Sequence, residues 1–343
     1  MQGSVDGELV AEPVTPEIGV VIPVFNEASN VGSLLARLAP VLDRVAGTWE
    51  VVFVDDGSSD ATLAAVAAHS TADPRVGAVA LSRNFGKEIA IAAGLDHVRG
   101  RAVVIMDADL QHPPEVIETF VARWREGYAM VYGQRTDRED ESAVKRGFAR
   151  LFYRVFARFG ETALPEGAGD FRLIDARGVA VLRSLGERAR FSKGLYAWIG
   201  FRSVGVPFVV AEREHGATKW SYRKLFRFAS DGITSFSTVP LRVWTYLGGL
   251  VAALALLTAV YFVLETLLHG PDVPGYASLI VSVMFFSGVQ LMSLGIIGEY
   301  VGRIFAEVKR RPLYVVAERL GAAGHHAPFV RDDRRGAPHS GGI

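Results

Sequence analysis

The sequence predicts an α/β domain on a mainly parallel sheet, followed by a two-helix transmembrane hairpin. Three observations carry this. Short apolar, β-branched runs alternate with helix-like stretches through the first part of the chain. Several of those runs stop at acidic or polar clusters. Two later stretches, 243–264 and 273–298, contain no Asp, Glu, Lys or Arg.

The first strand is expected over 18–25 (IGVVIPVF) and ends in Asn26-Glu27, with a helix from 29 to about 45. A second, 50–54 (EVVFV), ends in Asp55-Asp56-Gly57-Ser58-Ser59-Asp60, where Ser59 or Asp60 can cap the next helix. The third covers 76–81. The fourth, 101–106 (RAVVIM), ends in Asp107-Ala108-Asp109, and the fifth covers 129–132. Ligands of parallel sheets bind at the carboxyl ends of the strands. If these strands are neighbours, Asn26-Glu27, Asp55-Asp56 and Asp107 with Asp109 line one edge.

At about 1.5 Å per residue, each uncharged stretch can cross a hydrocarbon core of roughly 30 Å. The competing reading is two buried helices of a large soluble core. Arg223, Lys224, Arg227 and Arg242 precede the first stretch, and Arg303, Lys309, Arg310 and Arg311 follow the second. The loop His269-Gly270-Pro271-Asp272 holds no Lys or Arg. The bias of cations toward the cytoplasm therefore places the large N-terminal domain and both termini there, in a multi-pass membrane protein. The expected segments are a disordered leader at 1–17, which lacks the basic start and apolar core of a signal peptide, and an α/β domain at 18–217. Juxtamembrane interfacial helices are expected at 218–242, two membrane helices at 243–300, and a tail at 301–343 that ends in disorder. The segment 220–228 (WSYRKLFRF) suits a helix in the interface plane or an ordinary amphipathic helix packed on the domain.

Among the 343 residues, 37 Lys and Arg balance 37 Asp and Glu, so charge gives no argument for nucleic acid. There is no cysteine, which excludes disulfides, thiolate catalysis and zinc–thiolate sites. Asp107 and Asp109, spaced i, i+2 beyond a strand, can hold Mg²⁺ or Mn²⁺, hard cations that take oxygen ligands. The same triplet also fits a surface turn. Gln111 can add an oxygen, and His112 can ligate, although a neutral cap or core contact is its expected role. Asp55 and Asp56 fit two readings: acceptors for a uracil N3–H or ribose hydroxyl, or a helix N-terminal turn. Arg135, at the end of the fifth strand, is a candidate phosphate partner. Lys145, Arg146, Arg150 and Arg154 do not share one helical face, so some are solvated charges. Arg213, His215, Gly216 and Lys219 form a compact basic cluster.

Several ordered segments resemble those of the polyprenyl-phosphate glycosyltransferases, the inverting GT-A group of bactoprenol glucosyltransferases and dolichol-phosphate mannose synthase. They are Ile22-Pro23-Val24-Phe25-Asn26-Glu27, Val54-Asp55-Asp56-Gly57-Ser58, Ser82-Arg83-Asn84-Phe85-Gly86-Lys87, and Asp107 through Glu115. Ala168 through Leu173, Arg213 through Trp220, Ile297 through Arg303 and Arg311 through Tyr314 continue the match, which runs from about 18 to about 316. The two-span tail is similar to the bactoprenol branch.

The resemblance implies a hexose, glucose from UDP-glucose, passed to undecaprenyl phosphate for envelope glycosylation. GDP-mannose, a modified arabinose or an amino sugar are the alternatives. It implies that Pro23, Asn26, Glu27, Asp55, Asp56, Lys87, Asp107, Ala108, Asp109 and Arg213 contact the nucleotide-sugar. Asp107, Asp109 and Gln111 would hold the metal. Arg135, Arg146 and Arg150 would receive the lipid phosphate, Lys219 would grip a phosphate, and Asp170 would lie near the transferring sugar. Membrane lipids, a homo-oligomer and a flippase partner go with this reading. Gln134 departs from the small or basic residue of many relatives, which bears on local packing. No Gln-x-x-Arg-Trp motif marks a processive synthase, and no G-x-G-x-x-G follows the first strand. From a different class, a membrane-anchored nucleotide-sugar scaffold would keep the domain without turnover.

Overall fold

A computed structural model describes residues 15–136, 168–188, 190 and 192–209, part of the stretch 248–269, and 275–321. Five strands stand where apolar runs predict them: β1 Ile18–Val24, β2 Trp49–Asp55, β3 Val76–Leu81, β4 Ala102–Ile105 and β5 Met130–Arg135. Three more complete the sheet: β6 Ala168–Asp175, β7 Ser203–Phe208 and β8 Val316–Gly321. Their order is β7-β5-β6-β4-β1-β2-β3-β8. Pairing is parallel within β4-β1-β2-β3 and between β5 and β7. It is antiparallel where β6 meets β4 and β5, and where β8 meets β3. The domain is thus an α/β domain with a mainly parallel mixed sheet.

Both faces of the sheet are covered, which is why its strands read as unbroken apolar runs. Val20, Ile22 and Val24 join one core layer with Leu34 and Leu38 of α1 (Ala28–Val45), Val66 of α2 (Thr62–Ala72), and Phe120 of α4 (Val116–Arg125). Val21, Val52 and Val54 point the other way. They pack against Ile91 and Leu95 of α3 (Lys87–His97), Val179 of α5 (Ala176–Ser184) and Leu195 of α6 (Ser192–Trp198). Each large side chain that is fully buried here, such as Phe53 or Phe120, contributes about 1.5–3 kcal/mol.

Asp60 serves two helix starts, accepting from the Thr62 amide of α2 at 3.0 Å and the Ala28 amide of α1 at 3.4 Å. A carboxylate at such a position satisfies orphan donors and complements the helix dipole.

The described positions between 248 and 269 are helical, and α7 runs 33 residues from Tyr276 to Val308. Leu254, Leu257, Leu264, Phe285, Leu291 and Ile304 are among many large apolar side chains exposed on these helices. Side chains at several positions of both helices lie outside the description. Among the described residues, no helix is long and apolar enough to cross a membrane. After α7 the chain returns to the domain, and residues 316–321, within the expected tail, form β8.

Candidate active site

The carboxyl ends of β1, β2 and β4 are neighbours because these strands are parallel and adjacent. They open a cleft of about 320 Å³ lined by Pro23, Val24, Phe25, Glu27, Asp56, Asn84, Gly86, Lys87, Ala90, Asp107, Ala108 and Asp109. The antiparallel β6 adds a residue from its beginning. Ile105 pairs with Arg172, so continuing two residues in opposite directions sets Asp107 across from Asp170.

Lys87, the first residue of α3, joins these two carboxylates. Its Nζ lies 2.6 Å from Asp107 Oδ1 and 3.0 Å from Asp170 Oδ2. Burial alone would lower the lysine's pKa, but the two carboxylates outweigh it and hold it above its ordinary value. Burial would raise Asp170, but Lys87, with Lys193 and Arg172 beyond, keeps its carboxyl well below the usual range. Asp170 is therefore ionised, with its other oxygen, Oδ1, buried and without a hydrogen-bond partner among the described residues.

The turn after β4 brings the metal candidates to the same mouth. Leu110 takes a left-handed φ of 58°, a strained state for a bulky side chain, and is buried. Asp109 lines the cleft and accepts the Gln111 amide at 3.2 Å, while Gln111 itself is half-buried. His112 is a core contact. Its ring stacks on Phe171 at 4.8 Å and meets Phe208 edge-on, and Nδ1 accepts the Asp107 amide at 3.3 Å. Burial pushes its pKa down, so it stays neutral with the proton on Nε2. Among the described residues, no three His, Asp or Glu side chains group to hold a metal by themselves.

On the β1–β2 side, Asn26 adopts a left-handed φ of 57°, and its Oδ1 accepts the Ser59 amide at 2.8 Å. Asp55 is buried, accepts the Ser58 amide at 3.2 Å and its hydroxyl, and does not line the cleft. Asp56 does line it, and also accepts the Phe85 and Gly86 amides at 2.7 and 2.9 Å. Burial raises its pKa despite those donors. A Cβ on Gly57, at φ 69°, would lie 2.6 Å from the Arg83 carbonyl carbon, so only glycine lets this turn meet the loop before α3. Arg135 ends β5 at the same sheet edge and is exposed. Arg146, Arg150, Arg213 and Lys219 lie outside the described residues, as does the leader up to residue 14.

The sequence reading assigned no role to the groups behind Asp170. Arg172 is buried with its guanidinium 3.7 Å from the centre of the Tyr196 ring, and it donates to the Gly169 carbonyl. Its i, i+2 spacing from Asp170 within one strand was the available signal. Glu88 accepts the Ser192 amide at 3.1 Å and the Ser192 hydroxyl. Burial, then the charge of Asp170, raises its pKa. Nothing in the local sequence pairs Glu88 with Ser192.

Family models match this chain in two places: glycosyl transferase family 2 over residues 19–180 and the GtrB C-terminal hairpin over 239–304. An uncharacterized glycosyltransferase of Synechocystis sp. is 49% identical over 308 residues, covering 90% of this chain and 97% of the relative. The SfII prophage-derived bactoprenol glucosyl transferase of Shigella flexneri is 42% identical, over 88% of this chain and 97% of its own. A prophage bactoprenol glucosyl transferase homolog of Escherichia coli K12 is 40% identical, over 88% and 98%.

Proposed function

Because the chain belongs to glycosyl transferase family 2, carries the GtrB C-terminal hairpin and is a glycosyltransferase, we propose that it moves glucose from UDP-glucose to undecaprenyl phosphate. The observation that carries this is the cleft at the carboxyl edge, where Asp107 and Asp109 stand beside a lysine held between two carboxylates. The similarity to bactoprenol glucosyl transferases supports the acceptor and the sugar.

A lipid phosphate has its second pKa near ~6 and is mostly a dianion at neutral pH, so it attacks without a strong base. Its oxygen bonds to the anomeric carbon as the bond to the diphosphate breaks, and UDP leaves from the opposite face with inversion. Asp170, kept ionised by Lys87, orients and stabilises positive charge developing on the sugar. Pro23, Glu27, Asp56, Lys87 and Arg213 serve the donor, with Asn26 and Asp55 fixing the turns behind them, and Arg135, Arg146, Arg150 and Lys219 serve the phosphates. Arginine suits this task because its fork binds phosphate through two parallel hydrogen bonds.

The donor set fits Mg²⁺ or Mn²⁺: Asp107 and Asp109 offer carboxylate oxygens to one cleft, leaving the other positions to diphosphate and water. Asp107, Asp109 and the Gln111 side chain would hold the ion, which would neutralise charge on the departing diphosphate. The uncharged stretches 243–264 and 273–298 support a hairpin that spans the inner membrane, with the catalytic domain on the cytoplasmic side. The family resemblance alone carries the homo-oligomer and the flippase partner.

Purified full-length protein, given undecaprenyl phosphate and each of UDP-glucose, GDP-mannose and a UDP-amino sugar, tests this reading. UDP release and a glucosylated lipid are expected only with UDP-glucose, and a chelator should stop both. Release of no nucleotide from any donor would leave the scaffold reading in place.

A further inference from the structure

We propose that the return strand β8 and Tyr314 before it position the loop Ser82–Lys87, and with it the donor side of the cleft. The proposal rests on the reading of that cleft as the nucleotide-sugar site. The loop forms part of the cleft wall through Asn84, Gly86 and Lys87. From inside the domain it is held by Asp56, which accepts its Phe85 and Gly86 amides. On its other side it meets the chain returning from α7. Leu81 pairs with Val316, and the next amide, Ser82 N–H, donates to the Val315 carbonyl at 2.9 Å. Tyr314 fixes that segment by donating its hydroxyl to Asp96 Oδ2 of α3 at 2.9 Å. Phe85, Tyr314 and Val316 pack on one core layer.

The anchor of the return chain is thus on α3, the helix whose first residue is Lys87. A hydrogen bond to a carboxylate in a partly buried setting is among the stronger kinds, and its loss is felt by what it holds in place. The strand could also act only as an edge cover for β3, a common way of protecting an open sheet. The two roles differ in where the damage appears. Loss of an edge cover loosens the sheet as a whole. Loss of a positioning contact loosens the loop and weakens donor binding while chemistry on bound donor proceeds.

Tyr314→Phe in the full-length membrane protein separates them. Amide exchange at Phe85 and Gly86 should quicken while β1 and β2 hold their protection. The KM for UDP-glucose should rise about three- to tenfold with kcat within about twofold. Asp96→Asn, which keeps an oxygen acceptor for Tyr314, should show the same pattern more weakly. Uniform acceleration through β1 and β2, unchanged exchange at the loop, or an unchanged donor KM would each overturn the proposal. Exchange is read without turnover, so a failure of the proposed reaction would show separately, as absent product in the unmodified enzyme.

Discussion

The two sides of the cleft hold their carboxylates by different means. On the β1–β2 side, Asp55, Asp56 and the Asn26 amide oxygen accept from backbone amides and a hydroxyl. On the β4–β6 side, Asp107 and Asp170 share one ammonium, that of Lys87. The first arrangement spends acidic side chains on fixing loops, so removing one leaves amides without acceptors. The second depends on a flexible side chain that is 43% exposed, and such a pair can be remade around an arriving charge. One side is a scaffold that also lines the cleft, and the other is an exchangeable charge arrangement.

The largest effect should separate Asp109 from Asp170, two carboxylates of the second side. Asp109→Asn should lower kcat about a thousandfold or more through loss of metal support for the leaving group. Asp170→Asn should retain more activity, because a dianionic acceptor needs no base. Equal collapse of the two variants in a purified assay would make Asp170 a base.

Next comes the scaffold side. Asp56→Ala strips the Phe85 and Gly86 amides of their acceptor and should cost about 1–3 kcal/mol in denaturant unfolding, with a raised donor KM.

A smaller effect, and one with a pH signature, is expected from Lys87→Met, measured with chelator present. Lys87 is held above its ordinary 10.5, so its contribution is complete below that value and is lost as pH rises through the raised one. Asp170 is held below its ordinary 3.8, so its contribution is complete above 3.8 and is lost as pH falls through the depressed one. The Tm gap between unmodified protein and variant should therefore be flat from about pH 5 to 9, at about 2–4 °C, and close toward acid. A gap that instead widens toward acid would break the comparison.

The smallest effect belongs to Asn26. Its replacement by Ala loses the acceptor of the Ser59 amide and hydroxyl and strains a left-handed residue, costing about 1 kcal/mol, whereas Gly relieves the strain.

The strands β1 to β5 were legible because each is an apolar run stopped by polar residues, and their shared carboxyl edge followed from parallel order. β6 was hidden by Asp170 and Arg172 inside it, charges that a buried strand rarely carries. β8 (VAERLG) carries Glu318 and Arg319 and reads as polar tail, since an edge strand needs only one partner and shows little periodicity. Asp107 and Asp109 were legible as a pair, while the bridge through Lys87 depends on where α3 begins relative to β4 and β6. Asp55 and Asp56, adjacent and chemically alike, divide in space: one closes its own turn and the other holds a distant loop at the cleft. That division follows from position: Asp55 ends β2, and Asp56 is the first residue beyond it, facing the loop before α3.

The pairing of β3 with β8 also sets an order of assembly. β3 leaves the ribosome early, and the strand that covers it is made only after the whole hairpin. Through that interval β3 presents a row of unpaired backbone groups, a template for a neighbouring nascent chain. Closure of the sheet thereby waits on completion of the hairpin, so a stalled chain that never reaches Val316 carries an open, adhesive edge.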